Sequence, residues 1–344
     1  MLILGGTGFT GPEQVEYAIS RGHAVTLLNR NKTRPDFFKG RVEQLVGDLN
    51  ADVSALKGKK FDVVIDNPTT FPAWVRNAGK FLAGNTKHYI FISTTSTYSD
   101  QSIIGLDENS PTAQMPEGLD PYTLVPEDAT RHYGALKVRA EQEVAKLYPN
   151  MWTVIRPCLI VGPLDRTDRY TYWPARIEKG GEVLAPDKPD DPCQYIDSRD
   201  LAEWTIRMAE AREFGLYNAI GPAKPMTIAG LLYGIKGVTT SGAQFTWVPW
   251  EFLQTQNVRP WRHMTVWQPP YGRTAGYQRR NAAKAIAKGL TFRPVAVTAK
   301  DTLEWHKSRP EKEQLATLNG EINGLSMTRE AEVLAAWKAK KATE

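Results

Sequence analysis

The N-terminal stretch restricts this chain's fold more than any other. An apolar run, Met1-Leu2-Ile3-Leu4, meets Gly5-Gly6-Thr7-Gly8-Phe9-Thr10-Gly11, and the helix-like segment Pro12-Glu13-Gln14-Val15-Glu16-Tyr17-Ala18-Ile19 follows. A short strand must run into a tight turn, and the turn must open a helix. The Gly5-x-x-Gly8-x-x-Gly11 spacing puts bare backbone where the chain turns and where an anionic group approaches. The helix N-terminus offers unpaired N–H groups and a partial positive charge. Gly11 leaves room for the helix to pack on the strand. This context turns a weak glycine pattern into a pyrophosphate cradle. The bland alternative is a glycine-rich turn that holds nothing.

The next apolar run is His23-Ala24-Val25-Thr26-Leu27-Leu28-Asn29-Arg30. Dinucleotide folds place a carboxylate about 20 positions past the glycines, on the adenosine ribose. Asn29 stands there instead, with Arg30, Lys32 and Arg34 close behind. A missing carboxylate and added cations suit a 2′-phosphate, which favours NADP and leaves NAD open. The competing reading is a solvated basic loop.

Tyr133-Gly134-Ala135-Leu136-Lys137 forms a second motif. Tyr133 and Lys137 at i, i+4 share one helix face. A free phenol titrates near pH 10. A lysine ammonium one turn away, together with the positive nicotinamide, is expected to lower it, making Tyr133 a proton carrier. Upstream lies a hydroxyl cluster, Ser93-Thr94-Thr95-Ser96, at the end of an apolar run. Alone, such a cluster reads as strand-end and turn composition.

With these motifs in place, the chain resembles the extended short-chain dehydrogenase/reductase family, which includes nucleotide-sugar epimerases. The resemblance is good over residues 1–225 and weak beyond. Further matches are Gly47-Asp48-Leu49, Phe61 to Asp66, Tyr89 to Tyr98, Asp107 to Pro111, Arg156 to Pro163 and Gln194 to Ala202. The resemblance implies that Gly5, Thr7, Gly8, Phe9, Thr10 and Gly11 hold the dinucleotide, with Asn29, Arg30, Asp48 and Leu49 at its adenosine half. It implies Tyr133 as acid/base and Lys137 as its tuner and ribose contact. Matching on Tyr98 selects Thr94 to orient the substrate oxygen, with Ser96 second. The implied activity is an NAD(P)-dependent epimerase or oxidoreductase acting on a secondary alcohol or ketone, including that of a sugar or nucleotide-sugar. Asp66-Asn67-Pro68 and the long Thr112–His132 stretch depart from the family pattern. Thr94 is followed by Thr95-Ser96 rather than the Asp-Glu pair of sugar-nucleotide dehydratases, which argues against dehydration.

The expected fold class is α/β. A Rossmann-type, doubly wound parallel sheet should use residues 1–164 and 193–222. A smaller substrate-binding domain should use 165–192, read as a loop and lid helix, and 223–344. The segment from Trp247 to Tyr277 carries Trp247, Trp250, Trp261, Trp267, Tyr271 and Tyr277 among prolines. These aromatics, with Arg259, Arg262 and Arg273, are expected to form either a ligand pocket or a plain core. At the end, Thr328 to Lys341 reads as a helix docked through Val333, Leu334 and Trp337.

Five scattered histidines and two isolated cysteines, Cys158 and Cys193, give no metal-ligand spacing and no disulfide signal. No apolar stretch is long enough to span a membrane. A cytoplasmic enzyme is expected, with a small-molecule partner and a homodimer allowed. The first strand is short at its start, so a missing N-terminal segment and export stay open. The formal charge of +5 is modest and spread. Two other readings compete: RNA binding, as in chloroplast stem-loop-binding proteins of this fold, and a non-catalytic NADP-binding regulator. The intact Thr94, Tyr133 and Lys137 argue against both, and no RNA-binding motif supports the first.

Overall fold

A computed structural model describes residues 1–343. The strands are β1 (Leu2–Leu4), β2 (Thr26–Asn29), β3 (Glu43–Val46), β4 (Phe61–Asp66), β5 (Thr86–Ile92), β6 (Trp152–Pro157), β7 (Ile160–Val161), β8 (Glu182–Pro186), β9 (Pro192–Asp197), β10 (Gly215–Ala219), β11 (Gly221–Thr227) and β12 (Gln244–Val248). Seven of them form one parallel sheet, in the order β10-β6-β5-β4-β1-β2-β3. The chain leaves β1 for β2 on one side and later places β4 on the other. That reversal is the switch point where such sheets open a crevice at their carboxyl ends. The expected α/β doubly wound fold is present.

Alternation along the strands explains the register. Leu2 and Leu4 enter the core on one face, and Ile3 enters the core on the other. In β5, Tyr89 and Phe91 share the face of Leu2, while Ile90 and Ile92 join Ile3. Both faces are apolar because helices cover both. Helices α1 (Gly11–Ser20) and α5 (Ser198–Ala211) cover one side, while α2 (Pro72–Leu82) and α3 (Ala129–Leu147) cover the other. Between them in sequence comes α4 (Tyr172–Glu178).

A third core lies beyond the sheet. It joins α4, β8, part of β9, helix Ile228–Lys236, the 248–267 region and helix Met327–Thr343. Two small sheets support it, β11-β9-β7 and β12-β8. The expected lid helix is corrected here. Tyr170, Tyr172 and Trp173 are fully buried, so this segment is a wall of the third core. Its polar sequence hides aromatics that bury themselves. The C-terminal helix docks through Val333, Leu334 and Trp337, as its stripe indicates. Residues 285 and 290 return to the sheet side and pack in the core with α5.

Candidate active site

The glycine loop lies at the carboxyl end of β1. Gly5 has φ +76°, a conformation that other residues rarely adopt. At Gly11, a Cβ would sit 2.4 Å from the Gly5 carbonyl oxygen, so only glycine lets α1 begin against the loop. Pro12 occupies the first turn, and Thr10 offers no side-chain cap. The first-turn N–H groups are left for a ligand.

Beside the loop is a cavity of about 450 Å³, lined by Gly5, Thr7, Gly8, Phe9, Thr10 and, across from them, Asn29, Arg30, Asp48 and Leu49. Every non-catalytic residue expected to hold the dinucleotide lines it except Gly11, which shapes it from behind. Both amide atoms of Asn29 are buried without a partner. Buried polar atoms are normally satisfied, so these await a hydrogen-bonding group. The residues present therefore fit a dinucleotide.

The basic loop after β2 divides in the structure. Arg30 and Lys32 are exposed at the cavity rim. Arg34 folds back and donates to the Thr7 carbonyl at 2.7 Å and to the Gly8 carbonyl. Arg34 is therefore corrected from a 2′-phosphate candidate to a clamp on the glycine loop. Asn67, in the departure Asp66-Asn67-Pro68, ties the loop from the other side. Its Oδ1 accepts from Gln14 at 3.0 Å, and its Nδ2 donates to the Leu4 carbonyl at 3.2 Å. Asp66 is wholly buried, and burial raises its pKa. Tyr89 donates to it at 2.7 Å.

A second cavity, of about 320 Å³, opens at the ends of β5 and β6. It contains Thr94, Ser96 and Tyr133, and Phe9 lines both cavities. Thr94 begins a 3-10 turn over Thr95–Thr97, its Oγ1 accepting from the Ser96 N–H at 3.1 Å. Helix α3 kinks at His132 and then carries Tyr133 beside that turn. The approach is close because residue 134 is glycine: a Cβ there would lie 2.2 Å from the Ser96 carbonyl oxygen. Glu141 fixes the helix from below. It takes two hydrogen bonds from Arg156 of β6, at 2.9 and 2.6 Å, and one from Ser93 Oγ at 2.5 Å.

The electrostatics differ from the sequence expectation. Lys137 is buried, and its ammonium donates to the Thr69 carbonyl at 2.6 Å and the Ile92 carbonyl at 2.8 Å. Burial pushes its pKa down to about 8, against the pull of Asp66 and Glu141. Tyr133 is 38% exposed, yet desolvation at the cavity wall raises its pKa. The cation that opposes this rise is Arg169, aided by a hydrogen bond with Thr94. The two hydrogen bonds of Lys137 go to backbone carbonyls and not to the Tyr133 phenol.

The aromatic-pocket expectation is also corrected. Of the six rings named, Trp261 and Tyr277 line the reaction cavity and the other four do not. Trp267 is fully buried and donates to Asp191 at 2.7 Å. Trp250 packs edge-on against Trp267, and Trp247 packs on the third core. Tyr271 hydrogen-bonds Asp187 at 3.0 Å. Burying aromatic area outweighed ligand contact. Arg262 donates to the carbonyls of Gly320 and Glu321, away from the site. The cavity's cations are Arg169 and Arg280, neither of which sequence reasoning placed there. Arg280 belongs to a basic group with Arg273, Arg279, Lys284 and Lys288, and nothing in that group signals burial. Among the described residues, no group of His, Cys, Asp and Glu could hold a metal, and no helix is long and apolar enough to cross a membrane.

Comparisons place this geometry among known proteins. The profile of the NAD dependent epimerase/dehydratase family matches residues 1–219. The chloroplast stem-loop binding protein of 41 kDa b from Arabidopsis thaliana is 27% identical over 217 residues. That match covers 59% of this chain and 53% of the relative, so it spans about half the relative's length. The UDP-Glc/GlcNAc 4-epimerase of Campylobacter jejuni superposes with a TM-score of 0.64 at 14% identity, over 90% of this chain and 99% of that one. UDP-glucose 4-epimerase from Bifidobacterium longum, in complex with NAD+ and UDP, gives 0.58 at 18% identity, over 90% and 98%. At these identities the two structures establish a shared fold.

Proposed function

The chain belongs to the NAD dependent epimerase/dehydratase family, and we propose that its site interconverts a secondary alcohol of a sugar and the matching ketone, as an epimerase or oxidoreductase. One observation carries this reading. Thr94 and Tyr133 share a cavity whose Phe9 wall also belongs to the glycine-loop cavity. The UDP-sugars in the names of the Campylobacter and Bifidobacterium enzymes support a sugar substrate.

Bound nicotinamide dinucleotide supplies the hydride donor or acceptor. The chain supplies everything else. With its pKa raised, Tyr133 is protonated at neutral pH and ready to donate to a ketone oxygen. In the reverse direction it takes the hydroxyl proton, and the Arg169 charge favours the phenolate. Thr94 Oγ1 orients the reacting oxygen. Two of the three Lys137 donors are held by carbonyls, and the third would serve the nicotinamide ribose, although Lys137 is buried and lines neither cavity. At the other end, the Asn29 amide meets the adenosine ribose. Arg30 and Lys32, at the rim of the same cavity, would hold a 2′-phosphate there, which favours NADP over NAD.

Mass spectrometry of the purified protein should find a retained dinucleotide. Nicotinamide absorbance should then report turnover of an oxidoreductase on sugar alcohols, isomer analysis of the product that of an epimerase, and Tyr133→Phe should abolish either. Unchanged turnover in that variant overturns the reading. A second reading, binding of structured RNA, has the name of the Arabidopsis relative in its favour. Tight RNA binding that falls steeply with salt, without any dinucleotide binding, would select it.

A further inference from the structure

We infer that Arg280 and Arg169 form an anion subsite in the reaction cavity, and that the substrate is a compact hydroxy acid or sugar acid whose carboxylate they hold. The inference rests on the proposed alcohol–ketone site and names its substrate class.

The argument begins with buried arginines. Arg156, Arg176 and Arg280 are all at least nine-tenths buried. Arg156 pairs with Glu141, and Arg176 pairs with Glu330. Arg280 is 6% exposed, yet among the described residues it has no carboxylate partner. Its Nη2 donates to the neutral Gln101 amide at 2.5 Å, and its guanidinium lies 4.3 Å from the Tyr277 ring centre. Its Nε is buried without any partner. An unpaired buried charge is costly, and a fold keeps one where a ligand completes it. Burial also lowers the Arg280 pKa, as expected of a cation lacking its counter-charge.

The backbone holds this arginine firmly. Gln194 of β9 hydrogen-bonds the Arg280 N–H at 3.0 Å and its carbonyl at 2.9 Å. Arg169 lines the same cavity, bonded through Nε only to the Thr167 hydroxyl at 3.0 Å and free of any ion pair among the described residues. Its field reaches Tyr133 and Tyr277 alike. Arg280 also borders an outer cavity of about 540 Å³, and the reaction cavity is the one that both cations line. The chamber is about 320 Å³ and also holds Thr94 and Tyr133. An anion held by both arginines therefore lies next to the reacting carbon. Arginine's planar fork suits a carboxylate.

The test is binding, so it does not depend on turnover. The dinucleotide-loaded protein is titrated with pairs of like shape: D-glucuronate and D-glucose, D-gluconate and D-sorbitol, L-lactate and propane-1,2-diol. UDP-glucose is titrated separately. Calorimetry gives affinity, with Trp261 fluorescence as a check. At least one acid should bind about ten to a hundred times more tightly than its neutral partner. Arg280→Gln should remove that preference while leaving dinucleotide affinity intact. Arg169→Gln, at a partly exposed position, should weaken it and carries the test if Arg280→Gln does not fold. No acid exceeding its partner, or a preference surviving both variants, overturns the subsite. UDP-glucose as the one ligand that depends on Arg280 would place a diphosphate there and overturn the carboxylate assignment. An enzyme that shows the acid preference but no hydride transfer would refute the proposed activity and leave the subsite standing.

Discussion

Gly134→Ala offers a test whose sign separates two physical accounts. In a solvent-exposed helix this change should stabilise by about 1 kcal/mol, because glycine is the poorer helix former. Here the new methyl would lie 2.2 Å from the Ser96 carbonyl oxygen and 3.1 Å from its carbon. That is more than an ångström inside ordinary contact. The oxygen cannot swing away easily. Its turn is held by the Thr94 side chain, by Thr97 Oγ1 on the Thr94 carbonyl at 2.8 Å, and by the Ala113 N–H on the Thr97 carbonyl at 2.7 Å. The start of α3 must move instead. Overpacking of this kind costs about 1–3 kcal/mol, which meets or exceeds the propensity gain. A shift near 1 Å between Thr94 and Tyr133 would cost roughly a hundredfold in rate. Urea denaturation measures the first effect. The chemical shift of a labelled Tyr133 ring, assigned with Tyr133→Phe, reports the displacement without a substrate. A variant more stable than wild type, with an unmoved Tyr133 signal, would refute the close-approach argument.

Three further outcomes are expected. Tyr133→Phe should lose roughly 10²–10⁴ in turnover while dinucleotide affinity, measured by calorimetry, stays nearly unchanged. Arg30→Ala should weaken NADP by about one to two orders of magnitude and NAD far less; equal losses in paired titrations would remove the 2′-phosphate assignment. Lys137 has a folded pKa of about 8, while the unfolded chain holds that proton to about 10.4. Between those values the unfolded state binds more protons, so this group makes stability rise with pH across that window. Lys137→Met should flatten the rise in denaturation midpoints above pH 8, and an unaltered profile would count against a buried ammonium.

Sequence revealed what depends on local chemistry. A turn that needs φ +76° at Gly5 and has no room for a Cβ at Gly11 announces itself in composition. So does the alternation that sends Ile90 and Phe91 to opposite faces of the sheet. β4 spans Phe61–Asp66, the run singled out by the family resemblance. What failed depended on distant partners. The Thr69 and Ile92 carbonyls that hold the buried Lys137 ammonium come from other elements, and its spacing from Tyr133 could not show them. The tryptophans of 247–267 looked available because their segment is rich in proline; the third core that buries them is assembled from residues 159 to 337. Arg280 stands among other cations in sequence, and only the fold shows that β9 and Tyr277 enclose it.

The precision of the candidate site comes from packed elements rather than from its loops. Glu141 stands on α3, Arg156 on β6 and Ser93 just past β5, and all three meet at one carboxylate. Thr94 follows Ser93 directly, and Tyr133 lies two turns before Glu141 on the same helix. Both groups proposed to handle the reacting oxygen are therefore tied to a single buried ion pair. Breaking such a pair on one side leaves an uncompensated charge. Gly134 then sets how closely helix and turn approach, and Phe9 joins the resulting chamber to the glycine loop. Sites held by a supporting shell of this kind keep their geometry when the chamber's other walls change. Arg169 and Arg280 lie on those other walls, outside the Glu141 network, so evolution can alter the substrate class there without disturbing the proton-transfer geometry.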